Sequence, residues 1–352
     1  MMRRFVRTLL AALVLLAGVG VALPAAATVH RLPDDLKRPV RVHVSFRLLN
    51  IMKVQETVGE LSAVIELRQT WADPSLKFDG VKAGRQRLDF AGDDAKAKLS
   101  EIWTPALLIE NQIGNAQSVT SSISIYADGR IQLIQQVEGN FRFAKDVSAF
   151  PFDTQRIPFA LVPQYHPADE ALLVVDDGDR ALSTLSHELT VTDWTPKTLS
   201  FRAESFYGWN ARPFARLSAE VDLSRNWPRY VLRIFVPFLA VLSVSMFILW
   251  GAVKEPPNIT YSALLALSAL GFTFESSFPG SMSSSSPIAL MISIGYFYLI
   301  VTLLVDLLMN SQSFPLRQVF PHLAIETRRV VRHLLPALFL IICGCVILRS
   351  LG

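Results

Sequence analysis

Six side chains recur at helical spacing in the stretch 255–276: Asn258, Ser262, Leu265, Ala269, Phe272 and Ser276. At ~100° per residue they fall within about 40° of one line. The opposite face carries Leu264, Leu267, Leu270 and Phe274. A row that is small or polar at both ends, with Leu265 and Phe272 as its bulky members, suits one kind of chemistry. Polar groups replace the hydration of an ion, and an apolar level closes a narrow path by dewetting. The same row also suits a helix-packing face, where Ser, Ala and Asn let neighbours approach and hydrogen-bond. At helical rise the distance from Glu255 to Glu275 is ~30 Å, one hydrocarbon thickness. Pro256 and Pro257 open the segment, where missing amide protons cost least.

Elsewhere the chain is poor in reactive constellations. Its six histidines, at positions 30, 43, 166, 187, 322 and 333, are scattered. The only cysteines, Cys343 and Cys345, sit in a late apolar segment, so the polar half has neither a disulfide nor a thiolate metal site. There is no phosphate-binding glycine loop, nucleophile elbow or paired-histidine zinc motif. A membrane-anchored enzyme therefore lacks supporting residues, and no cofactor or metal is expected. The 352 residues are 51% hydrophobic and 18% charged, too apolar for an ordinary soluble protein. The net charge is +4 with both signs interspersed and no basic run, which argues against a nucleic-acid partner.

The elements that must hold the row are legible in order. Residues 1–27 read as a secretory signal: Arg3, Arg4 and Arg7, an apolar run from Leu9 to Val21, then Ala25, Ala26 and Ala27 at a cleavage site. Residues 28–228 read as all-β. Val40, Val42, Val44, Phe46 and Leu48 alternate with other residues, as do Leu61, Ala63, Ile65 and Leu67, then Ile157, Phe159 and Leu161, then Leu217, Ala219, Val221 and Leu223. Asp128-Gly129 marks a hairpin turn. Frequent turns between short strands argue an immunoglobulin-like β-sandwich. Residues 229–352 change solvent. Four spans are expected, at about 231–251 (with Pro237 inside), 257–275, 287–309 and 330–349, forming a transmembrane four-helix bundle. Lys254, Arg317, Arg328, Arg329 and Arg332 place the first and last interhelical loops in the cytoplasm. The sandwich and the C-terminus then lie on the periplasmic side of a bacterial inner membrane, with Asp306 near the inner end of the third span.

Several local motifs, in this order and on this topology, resemble the bacterial branch of the pentameric ligand-gated ion channels. Trp71-Ala72-Asp73-Pro74 resembles the family's tryptophan–aspartate strand end, and Trp103-Thr104-Pro105 its W-x-P loop. Phe150-Pro151-Phe152-Asp153 resembles the heart of its signature loop, here without flanking cysteines. Arg225 precedes Pro237 as an arginine precedes the first-span proline in the family.

The resemblance implies a homopentamer in membrane lipid whose second span lines a pore for inorganic ions. It makes the row Asn258, Ser262, Leu265, Ala269, Phe272 and Ser276 the pore lining, with Leu265 at the gate and Phe272 as a second constriction. Five copies of Glu255 at the inner mouth would select cations, because crowded carboxylates in a poorly screened mouth repel anions; the alternative for Glu255 is a helix-start residue favoured by the dipole. The resemblance also places Phe150, Pro151, Phe152, Asp153, Arg225 and Pro279 at the junction that couples the two halves, with Asp153 and Arg225 as an ion pair. Ligand positions between subunits fall on Glu66, Glu110, Gln164, Tyr165, Phe206, Tyr207 and Trp209. Only the last three form an aromatic group, a departure from a full aromatic box that disfavours a quaternary amine. A primary amine, a divalent ion or protons acting on the two carboxylates are the open choices, and a non-conducting membrane-anchored sensor is the other reading of the whole.

Overall fold

The computed structural model describes residues 32–33, 35–186, 191, 193–230, 234–250, 256–278, 286–310 and 321–351. The secretory signal, Lys254, Glu255, Pro279 and Arg317 lie outside the described residues.

Two sheets face each other. One orders its strands β3 (Arg87–Ala91), β5 (Gln112–Tyr126), β6 (Arg130–Arg142), β2 (Glu60–Ala72), β1 (Val40–Gln55) and β8 (Ala171–Val174), with β9 (Thr184–Leu185) also pairing β1. The other orders β10 (Trp194–Tyr207), β11 (Pro213–Arg225), β7 (Thr154–Pro163) and β4 (Leu107–Ile109). The alternation in β1 puts Val42, Val44 and Phe46 inward at 0% exposure, as a half-buried strand requires. The Asp128-Gly129 turn closes the β5–β6 hairpin, and Gly129 takes φ +86°, a conformation that disfavours side chains. A Cβ there would lie 2.7 Å from the Asp73 carbonyl oxygen, so the turn and the tryptophan–aspartate strand end pack as one unit. Helices α1 (Gly92–Glu101) and α2 (Asp177–Leu182) decorate the sandwich.

The two sheets meet at aromatic rings. Phe159 of β7 stands 4.8 Å from Phe46 of β1 and 5.0 Å from Phe141 of β6, centroid to centroid. Sheet-on-sheet cores are held by such interdigitation.

Four longer helices follow: α3 (Val236–Trp250), α4 (Pro256–Ser277), α5 (Pro287–Asn310) and α6 (Pro321–Leu351). Among the described residues, three contain stretches long and apolar enough to cross a membrane, at Asn258–Ser277, Pro287–Val305 and Ile325–Arg349. Pro237 lies near the start of α3, which directly follows the π-helical residues Ile234 and Phe235. The last helix begins at Pro321, before the expected apolar start near 330. Helical hydrogen bonding continues through the polar Glu326–Arg329 turn, and hydropathy alone does not register that continuation. Phe238, Leu242, Ala263, Leu267, Phe274, Ile292, Leu299 and Phe339 join in one core. Leu290, Phe297, Ile300, Leu304, Leu338 and Ile341 remain exposed. That much outward apolar surface on helices of this length fits lipid and neighbouring chains rather than water.

Truncating Phe159 to Ala removes the ring on which the sheets meet and costs about 3–5 kcal/mol. Thermal melting of the solubilised protein checks this; a Phe159→Ala protein that assembles and melts with the wild type would refute it.

Candidate functional site

The sandwich and the helices meet around one arginine. Strands β7 and β11 pair with Thr154 opposite Ser224, a register that sets Asp153 beside Arg225. The Arg225 backbone N–H donates to the Asp153 carbonyl at 3.1 Å. Its guanidinium donates from Nε to Asp153 Oδ1 at 2.6 Å and from Nη2 to Oδ2 at 3.0 Å. The expected ion pair is present, and a second carboxylate joins it: Glu56, in the β1–β2 turn, accepts from Nη1 and Nη2 at 2.8 Å each. Nη1 also donates to Tyr230 Oη at 3.1 Å. Gln155 Nε2 donates to Asp153 Oδ2 at 2.6 Å. The Arg225 side chain is 0% exposed, that of Asp153 2% and that of Glu56 17%.

Burial alone would pull the arginine's pKa down. The hydrogen bonds and charges of Asp153 and Glu56 outweigh it and hold the guanidinium above its ordinary range. Burial pushes the Tyr230 phenol up, against the lowering charge of Arg225. The faces of Trp194, Phe150 and Tyr230 lie 4.3, 4.7 and 5.1 Å from the guanidinium carbon, so cation–π attraction supplements the carboxylates.

The loop from Phe143 to Asp153 carries this charge centre into the helices. Phe150, fully buried, belongs to the helix core and not the sandwich core. Its ring lies 4.8 Å from Phe278 and 5.9 Å from Tyr230. Phe278 immediately follows α4, and its N–H donates to Phe274 within that helix at 2.8 Å. Phe152 packs on Trp227 at 5.6 Å, and Pro151, joined to Phe150 by a cis bond, is buried. Sandwich, signature-like loop and α4 are thus in unbroken contact.

All six residues of the row on α4 are exposed in the chain, with Leu265 at 74% and Phe272 at 77%. Leu267 and Phe274 on the opposite face are buried in the bundle. The Ser262 hydroxyl donates to the Asn258 carbonyl at 2.9 Å and that of Ser276 to the Thr273 carbonyl at 3.0 Å. Their lone pairs are left free to accept from outside the helix.

The seven ligand positions divide between the sheets. Glu66 lies on β2 opposite Arg47 of β1, which donates to it at 2.9 Å; Gln136 adds a bond at 3.2 Å. Glu110 follows β4 and accepts from Arg216 of β11 at 2.8 Å. The Arg216 guanidinium in turn lies 4.4 Å over the Phe206 ring. Gln164 and Tyr165 follow β7, and Tyr207 and Trp209, at 81% and 78% exposure, crown the β10–β11 turn. Phe206 and Tyr207 lie on the smaller sheet and Glu110, Gln164, Tyr165 and Trp209 in the loops that leave its strands; within one chain Glu66 stands apart on the larger sheet. Glu56, Arg47 and Arg216 escape sequence reasoning. Only strand register reveals the two arginines, and Glu56 in its turn has no local signature.

Replacing Arg225 with Met leaves Asp153 and Glu56 as buried, mutually repelling charges, at a cost of about 3–5 kcal/mol. Asp153→Asn leaves the arginine paired with Glu56 and costs less. The yield and melting temperature of assembled protein measure both; an Arg225→Met protein no less stable than Asp153→Asn would overturn the ordering.

Residues 28–227 match the neurotransmitter-gated ion-channel ligand-binding domain. Across 316 residues the chain is 22% identical to the proton-gated ion channel of Gloeobacter violaceus, covering 88% of this chain and 83% of that one. It is 27% identical over 256 residues to the gamma-aminobutyric acid receptor subunit pi of Mus musculus, covering 69% and 54%. With the glycine receptor subunit beta of Homo sapiens it shares 24% over 220 residues, covering 60% and 42%. An outer β-sandwich locked through one arginine to a helical membrane region, with that domain match over more than half its length, means the chain belongs to the pentameric, neurotransmitter-gated ion-channel family, whose members are channels and not enzymes.

Proposed function

We propose that this protein is a homopentameric, cation-selective channel in a bacterial inner membrane, opened from the periplasmic side by a ligand or a change of pH acting on the sandwich. The observation that carries the reading is the two-faced helix α4. Its apolar side is committed to the bundle core, while its row from Asn258 to Ser276 is left exposed in the single chain. A fivefold arrangement turns that row to a common axis. Leu265 then forms an apolar ring that closes the path by dewetting, and Phe272 a second one.

Cation preference rests on two supports. Hydroxyl oxygens of Ser262 and Ser276, with their protons committed to helix carbonyls, offer lone pairs to a passing ion. Five Glu255 carboxylates at the inner mouth concentrate cations there.

Opening is carried by the contact from Arg225 through Phe150 to Phe278, next to α4. Any shift of β7 or β11 must either move that chain of groups or break it. On the ligand side, the carboxylates of Glu66 and Glu110 are each neutralised by an arginine of the same chain. A cationic ligand has to displace one of those arginines, so the exposed rings of Tyr207 and Trp209 are the available contacts. The relative described as proton-gated makes pH the first stimulus to try.

Current recorded from purified protein in a planar bilayer tests the reading. In a sodium chloride gradient the reversal potential follows sodium; a reversal that follows chloride sinks the selectivity claim, and silence under every pH and ligand condition favours the non-conducting sensor. Leu265→Ser wets the gate and raises resting current, whereas a purely structural row predicts no change. Asp153→Asn pentamers that reach the membrane conduct poorly or not at all when stimulated; normal gating would remove the coupling role.

A further inference from the structure

Outside the channel machinery, the fold gathers three metal-ligating side chains that the sequence scatters. β1 and β8 run parallel with His43 beside Val174, which brings the start of α2 against the imidazole. His43 Nδ1 stands 3.2 Å from Asp176 Oδ2 and 3.1 Å from Asp179 Oδ2. One ligand atom from each residue fits within a span of 4.8 Å. Ligands on a tetrahedral zinc ion are separated by roughly 3.3 Å, so the imidazole already stands at the right distance from both carboxylates.

We propose that His43, Asp176 and Asp179 form a binding site for a borderline divalent transition-metal ion of the zinc type. The donor set, one imidazole nitrogen and two carboxylates, suits such an ion better than calcium, which takes six or more oxygens. The carboxylates are oriented before any ion arrives. Asp179 N–H donates to Asp176 Oδ1 at 2.8 Å, and Asp176 N–H donates to Asp179 Oδ2 at 3.1 Å. Ser45 Oγ lies 3.4 Å from Asp179 Oδ1. Outer-shell bonds of this kind fix ligand direction.

Charge argues the same way. Among the described residues, no lysine or arginine pairs with Asp176 or Asp179. This contrasts with Glu66, Glu110, Asp153 and Glu56, which each have an arginine. The His43 side chain is 37% exposed and that of Asp176 59%, leaving an approach for the ion and a position for water. An ion held there fastens the β8–β9 connection to β1.

The test is calorimetric titration of zinc into untagged, detergent-solubilised full-length protein, with calcium titrated in parallel. Wild type binds one zinc per chain and prefers it to calcium. His43→Ala weakens zinc binding about tenfold or more. Asp176→Asn keeps an oxygen for the Asp179 N–H, so α2 stays capped, yet binding weakens because an anionic ligand is gone. Elution as the wild-type assembly shows that each variant is folded, and His43→Gln replaces His43→Ala should the latter fail. Zinc affinity unchanged in these variants, no zinc binding by wild type, or calcium bound as tightly as zinc would each overturn the proposal.

Discussion

A guanidinium sealed from water and shared between two carboxylates is the constraint on which the junction depends. Arg225 ends the last strand of the sandwich, Asp153 immediately precedes β7, and Glu56 sits in the first hairpin turn. Three places far apart in sequence are therefore tied to one cation immediately before the chain turns toward the membrane. The energetic logic is asymmetric. A satisfied buried network adds modest net stability, but an incomplete one strands charge where no solvent can compensate. The junction must therefore form as a whole, with the aromatic walls of Trp194, Phe150 and Tyr230 already closed around it.

Two cores flank that junction, and each follows the rules of its own surroundings. The sandwich buries period-two apolar rows between sheets, driven by the loss of apolar surface from water. The helices bury a mixed core that runs from Ala263 and Leu267 to Phe238, Phe274 and Phe339, while other apolar side chains such as Phe297 and Ile300 face outward. Phe150 is the crossing point: the backbone that carries it belongs to the sandwich, and its ring belongs to the helices. Displacing that loop disturbs the packing beside α4, and displacing α4 disturbs the loop.

Much of this was legible in the residues. Alternation in β1, β2, β7 and β11 located strands because one face of each is buried. The Asp128-Gly129 turn announced its hairpin, and the wheel of α4 separated the face packed on the bundle from the row left bare. The pairing of Asp153 with Arg225 came from family likeness, since nothing in local pattern brings residues that far apart together. Glu56, Arg216 and Arg47 stayed hidden because a long-range ion pair depends on strand register, which a single sequence does not state. The scattered histidines illustrate the same limit. His43 looks solitary until parallel pairing of β1 with β8 sets it against two aspartates. The last helix starts at Pro321, ahead of the apolar span; hydropathy reports a helix's solvent and not its extent.

Desolvation of the Arg225 cluster has an environmental consequence. Dissolved salt weakens attraction between charges bathed in water, and rim pairs such as Arg156 with Asp222, where the arginine is 68% exposed, lie fully within its reach. Counter-ions have no path to a side chain with no exposed surface. The clasp between the outer and membrane halves therefore changes far less from dilute to briny surroundings than the charge decoration around it, which strengthens and fades with the medium.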